Sequence, residues 1–205
     1  MYDPTAQVPL DDELPTLERE TVVIKFVVTG PFAAGKTTLV QTMSEIPVVG
    51  TETAVTDDTS AIKSNTTVGM DFGKLTLVDE DMLVELSLFG TPGQQRFSFM
   101  WDVLAQGMDG YVVLVDLSRP ETFDECASII EYFAGISDAP FVIGANKEGP
   151  DESVLENLAD TLGAAGAPVI VCDATDHESA RDLLLALLEA VLDAVDAQLD
   201  PENSQ

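Results

Sequence analysis

Basic residues are scarce in this chain of 205 residues, where 9 Lys and Arg stand against 37 Asp and Glu and the formal net charge is −28. A nucleic-acid partner needs a basic face, and unassisted binding to anionic membranes needs a basic segment, so the composition argues against both. The acids are spread along the whole chain. This distribution favours a surface suited to a cytoplasm of very high salt over a single acidic tail or interaction surface.

Cysteine, histidine and long apolar runs are also sparse. Cys126 and Cys172 form neither a C-x-x-C motif nor a disulfide framework, and His177 is the single histidine, which argues against a His-based metal site. The sequence shows no signal-peptide pattern, no apolar run of ~18 residues, no myristoylation glycine and no prenylation cysteine. We therefore expect a cytoplasmic protein with no direct membrane anchor.

The most informative stretch is an apolar, β-branched run that ends at Gly30 and is followed by a G-x-x-x-x-G-K-T loop. Small residues let backbone N–H groups approach a phosphate chain, and the helix beginning near Lys36 adds its free N–H groups and its dipole. In this motif Lys36 reaches the β- and γ-phosphates and the Thr37 hydroxyl binds Mg²⁺. The other phosphate contacts are expected from the same loop, namely from Ala33, Ala34, Gly35 and Thr38.

Strand and helix patterns alternate along the rest of the chain. Strands are predicted near 22–29, from after Gly73 to about 78, and near 82–89, 111–115, 141–145 and 169–172, with a final helix over 176–199. This alternation predicts a three-layer α/β sandwich, with a mostly parallel six-stranded sheet, one antiparallel strand and helices on both faces. The predicted domain spans 21–199, after an acidic, disordered arm over 1–20 and before a short tail over 200–205.

Two further segments lie where ligands bind such a sheet. One is Thr-Val-Gly-Met-Asp-Phe, which contains Thr67, and the other is Thr-Pro-Gly-Gln-Gln-Arg-Phe, which contains Gly93 and Gln94. Together with the phosphate loop they resemble the small GTPases of the Ras superfamily, which have the P-loop NTPase fold. The resemblance implies that Thr37 and Thr67 hold Mg²⁺ and that Gly93 offers its N–H to the γ-phosphate. It also implies that Gln94 orients the attacking water and shares the catalytic role with Lys36.

The base side of the resemblance consists of Asn146-Lys147, similar to the guanine-binding N-K, and of Ala174, similar to a backbone contact to the guanine oxygen. The ligands so implied are GTP and GDP. Thr-Pro-Gly-Gln and the Cys-Asp-Ala loop are closest to prokaryotic GTPases of the gliding-motility and conservon type. Those proteins are polarity or signalling switches with roadblock (LC7-type) regulators, so a regulator of that type or another activating or effector protein is the implied partner.

Three positions depart from the family pattern. Gly90 stands where an Asp supports Mg²⁺, so either the metal is held more weakly or another carboxylate compensates. Gly149 stands where an Asp selects guanine, so the choice between GTP and ATP stays open. Phe32 stands beside the γ-phosphate position, where glycine is usual. For single residues we expect Asp71 to face solvent and Trp101 to pack under the 90–106 segment.

Between Thr37 and Gln94 there is no arginine, and Lys63 and Lys74 are the only cations. We therefore expect slow intrinsic hydrolysis that a partner accelerates. Two other functions stay open: a small P-loop kinase, against which the scarcity of Arg argues, and a nucleotide-binding scaffold with little hydrolysis.

Capping boxes are predicted at Ser118-x-x-Glu121 and Thr175-x-x-Glu178.

Overall fold

The computed structural model describes residues 20–50, 53–54, 67–78, 82–93, 97–147 and 152–199. The predicted acidic arm, apart from Glu20, and the predicted tail over 200–205 lie outside these residues. None of the helices in the described part of the chain is both long enough and apolar enough to cross a membrane.

Strands and helices alternate along the described chain except over 49–90, where five strands follow one another. The strands are β1 (Glu20–Thr29), β2 (Val49–Gly50), β3 (Thr53–Ala54), β4 (Thr67–Val68), β5 (Asp71–Val78), β6 (Met82–Gly90), β7 (Gly110–Asp116), β8 (Phe141–Asn146) and β9 (Val169–Cys172). The helices are α1 (Lys36–Met43), α2 (Phe99–Ala105), α3 (Phe123–Ile136), α4 (Glu152–Glu156), α5 (Leu158–Thr161) and α6 (His177–Leu199), with a 3₁₀ turn at Pro120–Thr122 before α3.

The main sheet has the strand order β2-β5-β6-β1-β7-β8-β9. The five strands from β6 to β9 in this order are mutually parallel, and β5 runs antiparallel to both of its neighbours. The predicted α/β class, the parallel sheet and its single reversed strand are thus confirmed. The predicted count of six strands is wrong, because Val49 and Gly50 pair with Phe72 and Asp71 and add a seventh. A pair of residues carries no alternating pattern that would reveal a strand in the sequence.

Two hydrophobic cores lie on the two faces of this sheet. Phe26 and Val28 of β1 belong to the core covered by α1 and α6, whereas Val27 belongs to the core covered by α2, α3 and α5. All seven residues of β7 are buried, as expected for a strand covered on both faces. The carboxyl ends of β1, β7 and β8 therefore meet at one edge of a rigid sheet, where the loops that follow them are held.

The predicted capping boxes are wrong at both helices. The Ser118 hydroxyl donates to the Asp116 carboxylate instead, and the 3₁₀ turn precedes α3. At α6 the cap is Asp176, whose carboxylate accepts from the Ser179 N–H at 2.9 Å. The sequence pattern over 151–162 also predicts a helix, and the structure has two short helices there, α4 and α5.

Candidate nucleotide-binding site

A cleft of about 310 Å³ opens at the carboxyl end of β1, between the 30–38 loop and the segment that follows β6. Ligands of open α/β sheets bind beyond the carboxyl ends of parallel strands, so this is the expected position of a substrate. Six of the predicted site residues line the cleft: Ala33, Gly35, Lys36, Thr37, Thr38 and Gly93. Gly30 and Ala34 are buried in the same loop.

The backbone of the loop needs glycine at two positions. Gly30 has a φ of 140° and Gly35 a φ of 109°. A Cβ atom would lie 2.4 Å from the Leu114 carbonyl oxygen at Gly30, and 2.5 Å from the Asn146 Nδ2 at Gly35. Ala33 also has a positive φ, of 65°, which costs an L-residue about 1–2 kcal/mol. Such strain clusters at ligand-binding loops.

Lys36 is buried at the wall of the cleft. Its Nζ donates to the carbonyl oxygens of Gly30 at 2.8 Å and Pro31 at 2.6 Å, so the ammonium is held against the loop backbone. Burial lowers the pKa of Lys36 to about 8, although the negative charges of Glu125 and Asp71 act to raise it. A phosphate in the cleft would favour the charged form of this side chain.

Asp71 lines the cleft and does not simply face solvent, which differs from the expectation for this residue. The Thr37 hydroxyl donates to the Asp71 Oδ2 at 2.5 Å. A hydroxyl and a carboxylate beside a phosphate-binding loop are hard oxygen donors, which suit Mg²⁺. The residues present therefore fit the metal that the resemblance implies: Thr37 would be its direct protein ligand, and the cation would neutralise charge on the phosphates.

The Thr-Pro-Gly segment closes the opposite side of the cleft. The Thr91 N–H donates to the Val28 carbonyl at 2.9 Å, which continues the β6–β1 pairing beyond Gly90. A Cβ atom at Gly93 would lie 2.7 Å from the Lys36 Nζ and 2.8 Å from the Phe32 Cα. Only glycine allows this close approach, which places the backbone of residue 93 directly over the phosphate loop.

Trp101 packs beneath this segment, as predicted. Its side chain is buried, and its Nε1 donates to the Pro92 carbonyl at 3.4 Å. The ring lies edge-on to Tyr132, with centroids 5.2 Å apart, and tilted against Phe133 at 5.9 Å. The indole thus connects the Thr-Pro-Gly segment to α3.

Asn146 joins the 30–38 loop to the loop that follows β9. Its Nδ2 donates to the Ala34 carbonyl at 2.8 Å, and its Oδ1 accepts the Ala174 N–H at 3.0 Å. The Ala174 carbonyl in turn accepts the Thr42 hydroxyl of α1 at 2.7 Å. The Ala174 N–H is thus bonded to Asn146 in this structure, and its contact to a guanine base stays a prediction.

Lys147 is paired to a buried carboxylate that the sequence did not assign to it. Its Nζ lies 2.6 Å from the Asp116 Oδ2 and also donates to the Ala33 carbonyl at 3.1 Å. Burial alone would raise the pKa of Asp116, but hydrogen bonds from Lys147 and Ser118 outweigh burial and hold that pKa below its usual value. The ion pair fixes the end of β8 against the phosphate loop.

Several predicted residues lie outside the described part of the chain: Gln94, the side chain of Thr67, and Glu148, Gly149 and Asp151 of the base-binding loop. Their roles stay predictions. Arg119, to which no role was assigned from sequence, donates from Nη1 to the Phe32 carbonyl at 3.1 Å. No local sequence signal identifies Arg119 or Asp71, because both contacts join residues distant in the chain.

The sheet order, the glycine-dependent loop and the buried lysine define a nucleotide-binding protein of the P-loop class. A family model described as "Conserved hypothetical ATP binding protein" matches residues 48–152, just over half of the chain. The chain belongs to that family.

More distant similarity links the chain to Ras-related proteins. It is 23% identical to Ras-related protein Rab-3D of Mus musculus over 156 residues, covering 72% of this chain and 70% of the relative. It is 23% identical to Ras-related protein Rab-12 of Homo sapiens over 176 residues, covering 82% and 67%. It is 26% identical to Ras-related protein RABA4d of Arabidopsis thaliana over 121 residues, covering 59% and 49%. These similarities support a nucleotide-binding, GTPase-like protein.

Proposed function

We propose that this protein is a Mg²⁺-dependent switch that binds and slowly hydrolyses GTP in the cytoplasm. The observation that carries the proposal is the cleft in which Lys36, Thr37 and Gly93 face one another, since these are the contacts that a triphosphate needs. The similarity to Rab proteins across about 70% of the chain supports the same assignment.

In the proposed mechanism the 30–38 loop and Lys36 neutralise the phosphates. Thr37 and Thr67 hold the cation, Gly93 donates its N–H to the γ-phosphate, and Gln94 positions the attacking water. Asn146, Lys147 and Ala174 form the base side. Segments near 48–73 and 90–106 become ordered around the γ-phosphate and are released after hydrolysis, so the output is nucleotide-dependent partner binding.

The partner that we propose is a roadblock-type regulator or another activating or effector protein. Hydrolysis without it is slow, because the sequence offers no arginine between Thr37 and Gln94 to stabilise transferred charge. Where such an arginine is present, it accelerates hydrolysis by about 10³–10⁵-fold. The regulator accelerates the reaction by ordering Gln94 or by donating a cation.

The base specificity can be tested by identifying the nucleotide that stays bound to the protein through purification in high salt. Mass identification should give GTP or GDP. ATP, ADP or no nucleotide would contradict the guanine assignment. A nucleotide-binding scaffold with relaxed base choice is the second candidate, because the family is described as ATP binding and Gly149 stands where a guanine-selecting Asp is usual.

Single-turnover hydrolysis tests the switch mechanism. Gln94→Ala should slow hydrolysis by about 10²-fold or more, in the range of a positioned proton-transfer or water-orienting group. Gln95→Ala is the matched control and should hydrolyse at the wild-type rate. An unchanged rate in Gln94→Ala, or fast turnover of the wild type without a partner, would contradict the mechanism.

A further inference from the structure

Asp71 lies at the start of β5, directly opposite Gly90 of β6 in the antiparallel register. Its carboxylate accepts the Thr37 hydroxyl at 2.5 Å and lines the cleft beside the phosphate loop. The three residues come from three separate segments of the chain. A contact of this kind is fixed by strand pairing, because a one-residue slip of β5 would turn Asp71 to the other face of the sheet.

The Asp71 side chain lies directly against the position that a side chain at Gly90 would take. A Cβ atom at Gly90 would lie 3.1 Å from the Asp71 Cβ and 3.2 Å from the Asp71 Oδ2. A carboxylate can therefore reach this point of the cleft from position 90 or from position 71, and the structure has it at position 71. Gly90 leaves the room that the Asp71 side chain needs.

The hydrogen bond also fixes the direction of the Thr37 hydroxyl. An ionised carboxylate only accepts, so the proton of Thr37 lies on the side of Asp71. The hydroxyl has a single proton, and its lone pairs then face away from the carboxylate and are free to bind a cation. Mg²⁺ keeps several waters when it binds, and a nearby carboxylate holds those waters in place.

We propose that Asp71 is the metal-positioning carboxylate of this site: it orients Thr37 and holds the water shell of the cation from β5, in place of a carboxylate at position 90. The proposal rests on the function proposed above, since it assumes that a nucleotide phosphate chain and Mg²⁺ meet in the cleft. Asp71 touches neither the nucleotide nor the reacting atoms.

The test measures the release of a fluorescent GDP and a fluorescent ADP from the full chain, at high KCl and across a range of free Mg²⁺. In the wild type, Mg²⁺ should slow release of the nucleotide that binds. Asp71→Asn keeps the shape of the side chain but removes its charge. We expect it to raise the Mg²⁺ concentration for half-maximal slowing by about 10–100-fold, the usual effect of losing a carboxylate beside a metal ligand.

The same titration in EDTA separates positioning of the metal from a structural role. Without a cation, the Asp71 carboxylate only repels the phosphates, so Asp71→Asn should bind nucleotide at least as tightly as the wild type. A purely structural contact would instead weaken binding in EDTA and leave the half-saturating Mg²⁺ unchanged, which would overturn the proposal. Glu85→Gln, on the neighbouring strand and paired with Lys74, is the charge-matched control and should behave as the wild type.

A double variant, Asp71→Gly with Gly90→Asp, moves the carboxylate from β5 to β6. Restoration of Mg²⁺ dependence to within a few-fold of the wild type would support the proposal even if Asp71→Asn folds poorly. A folded double variant that stays insensitive to Mg²⁺ would overturn it. Failure of the wild type to bind either nucleotide would contradict the proposed function as well. An unchanged Mg²⁺ midpoint in Asp71→Asn would contradict only the role of Asp71.

Discussion

Lys36 is a buried ammonium whose pKa is lowered to about 8, so we expect nucleotide affinity to depend on pH. Bound phosphates favour the charged form, so the pKa of Lys36 is higher in the complex than in the free protein. Binding above pH 8 therefore requires proton uptake, and affinity is highest below pH 8 and falls as the pH rises. We expect a decrease of about fivefold between pH 8 and pH 9, measured by titration with a fluorescent nucleotide.

The control for this prediction is Lys36→Met, which removes the titrating group. Its affinity should be lower at every pH and should no longer decrease between pH 8 and pH 9. A wild-type affinity that is constant over this interval would show that Lys36 takes up no proton on binding, and would contradict the prediction.

Single residues also show where sequence patterns failed. The Gly30, Gly35, Lys36 and Thr37 pattern is local, so its geometry was predictable. Asp71 was not, because its position depends on the pairing of β5 with β6. Both capping boxes failed for a shared reason: nearby carboxylates compete for the hydroxyls. Ser118 bonds to Asp116, and Thr175 bonds to Asp173 at 2.7 Å.

At the scale of elements, side chains join the loops that follow β1, β8 and β9, in addition to the strand pairing of the sheet. Asn146 links the phosphate loop to the loop before α6, and the Asp116–Lys147 pair links β7 to the residue after β8. The order of these elements was predictable from periodicity, since β1, β7 and β8 contain continuous buried runs and β6 alternates between buried and less buried residues. The seventh strand was not, because β2 has only two residues and is defined by its partner β5.

The contact between α2 and the Thr-Pro-Gly segment gives a spectroscopic prediction. Trp101 is the only tryptophan of the chain, and it bonds to Pro92 at the rim of the cleft. A γ-phosphate that draws Gly93 inward should bury the indole further. We therefore expect the emission of Trp101 to shift to shorter wavelength with a non-hydrolysable triphosphate and Mg²⁺, compared with the diphosphate. The measurement is a fluorescence spectrum at saturating nucleotide.

Lys36→Met provides the comparison for this spectrum, because a protein that cannot hold the phosphates should show the same emission with both nucleotides. Identical wild-type spectra at saturation would mean that the segment after β6 does not respond to the γ-phosphate. The proposed switch would then have to act through the 48–73 segment alone.

At the scale of the whole molecule, the net charge of −28 opposes compaction. The described residues show three ion pairs, of which Lys74–Glu85 and Arg119–Glu121 are partly exposed. Exposed pairs contribute about 0–1 kcal/mol each and do not offset the repulsion of so many carboxylates. Mobile cations have to screen that repulsion. Charges further apart than the Debye length are screened, and this length falls from about 30 Å at 0.01 M salt to about 3 Å at 1 M.

We therefore expect the melting temperature to rise with KCl, and each kcal/mol gained should raise it by about 2–4 °C for a domain of this size. Screening acts through ionic strength, so most of the rise in melting temperature should occur below about 1 M, where the Debye length shrinks fastest. For the same reason, KCl and K₂SO₄ should give the same melting temperature at equal ionic strength. Stronger burial by excluded anions would instead favour sulfate and continue above 1 M. A melting temperature independent of KCl, or one raised by sulfate alone, would contradict electrostatic repulsion as the main limit on the stability of this fold.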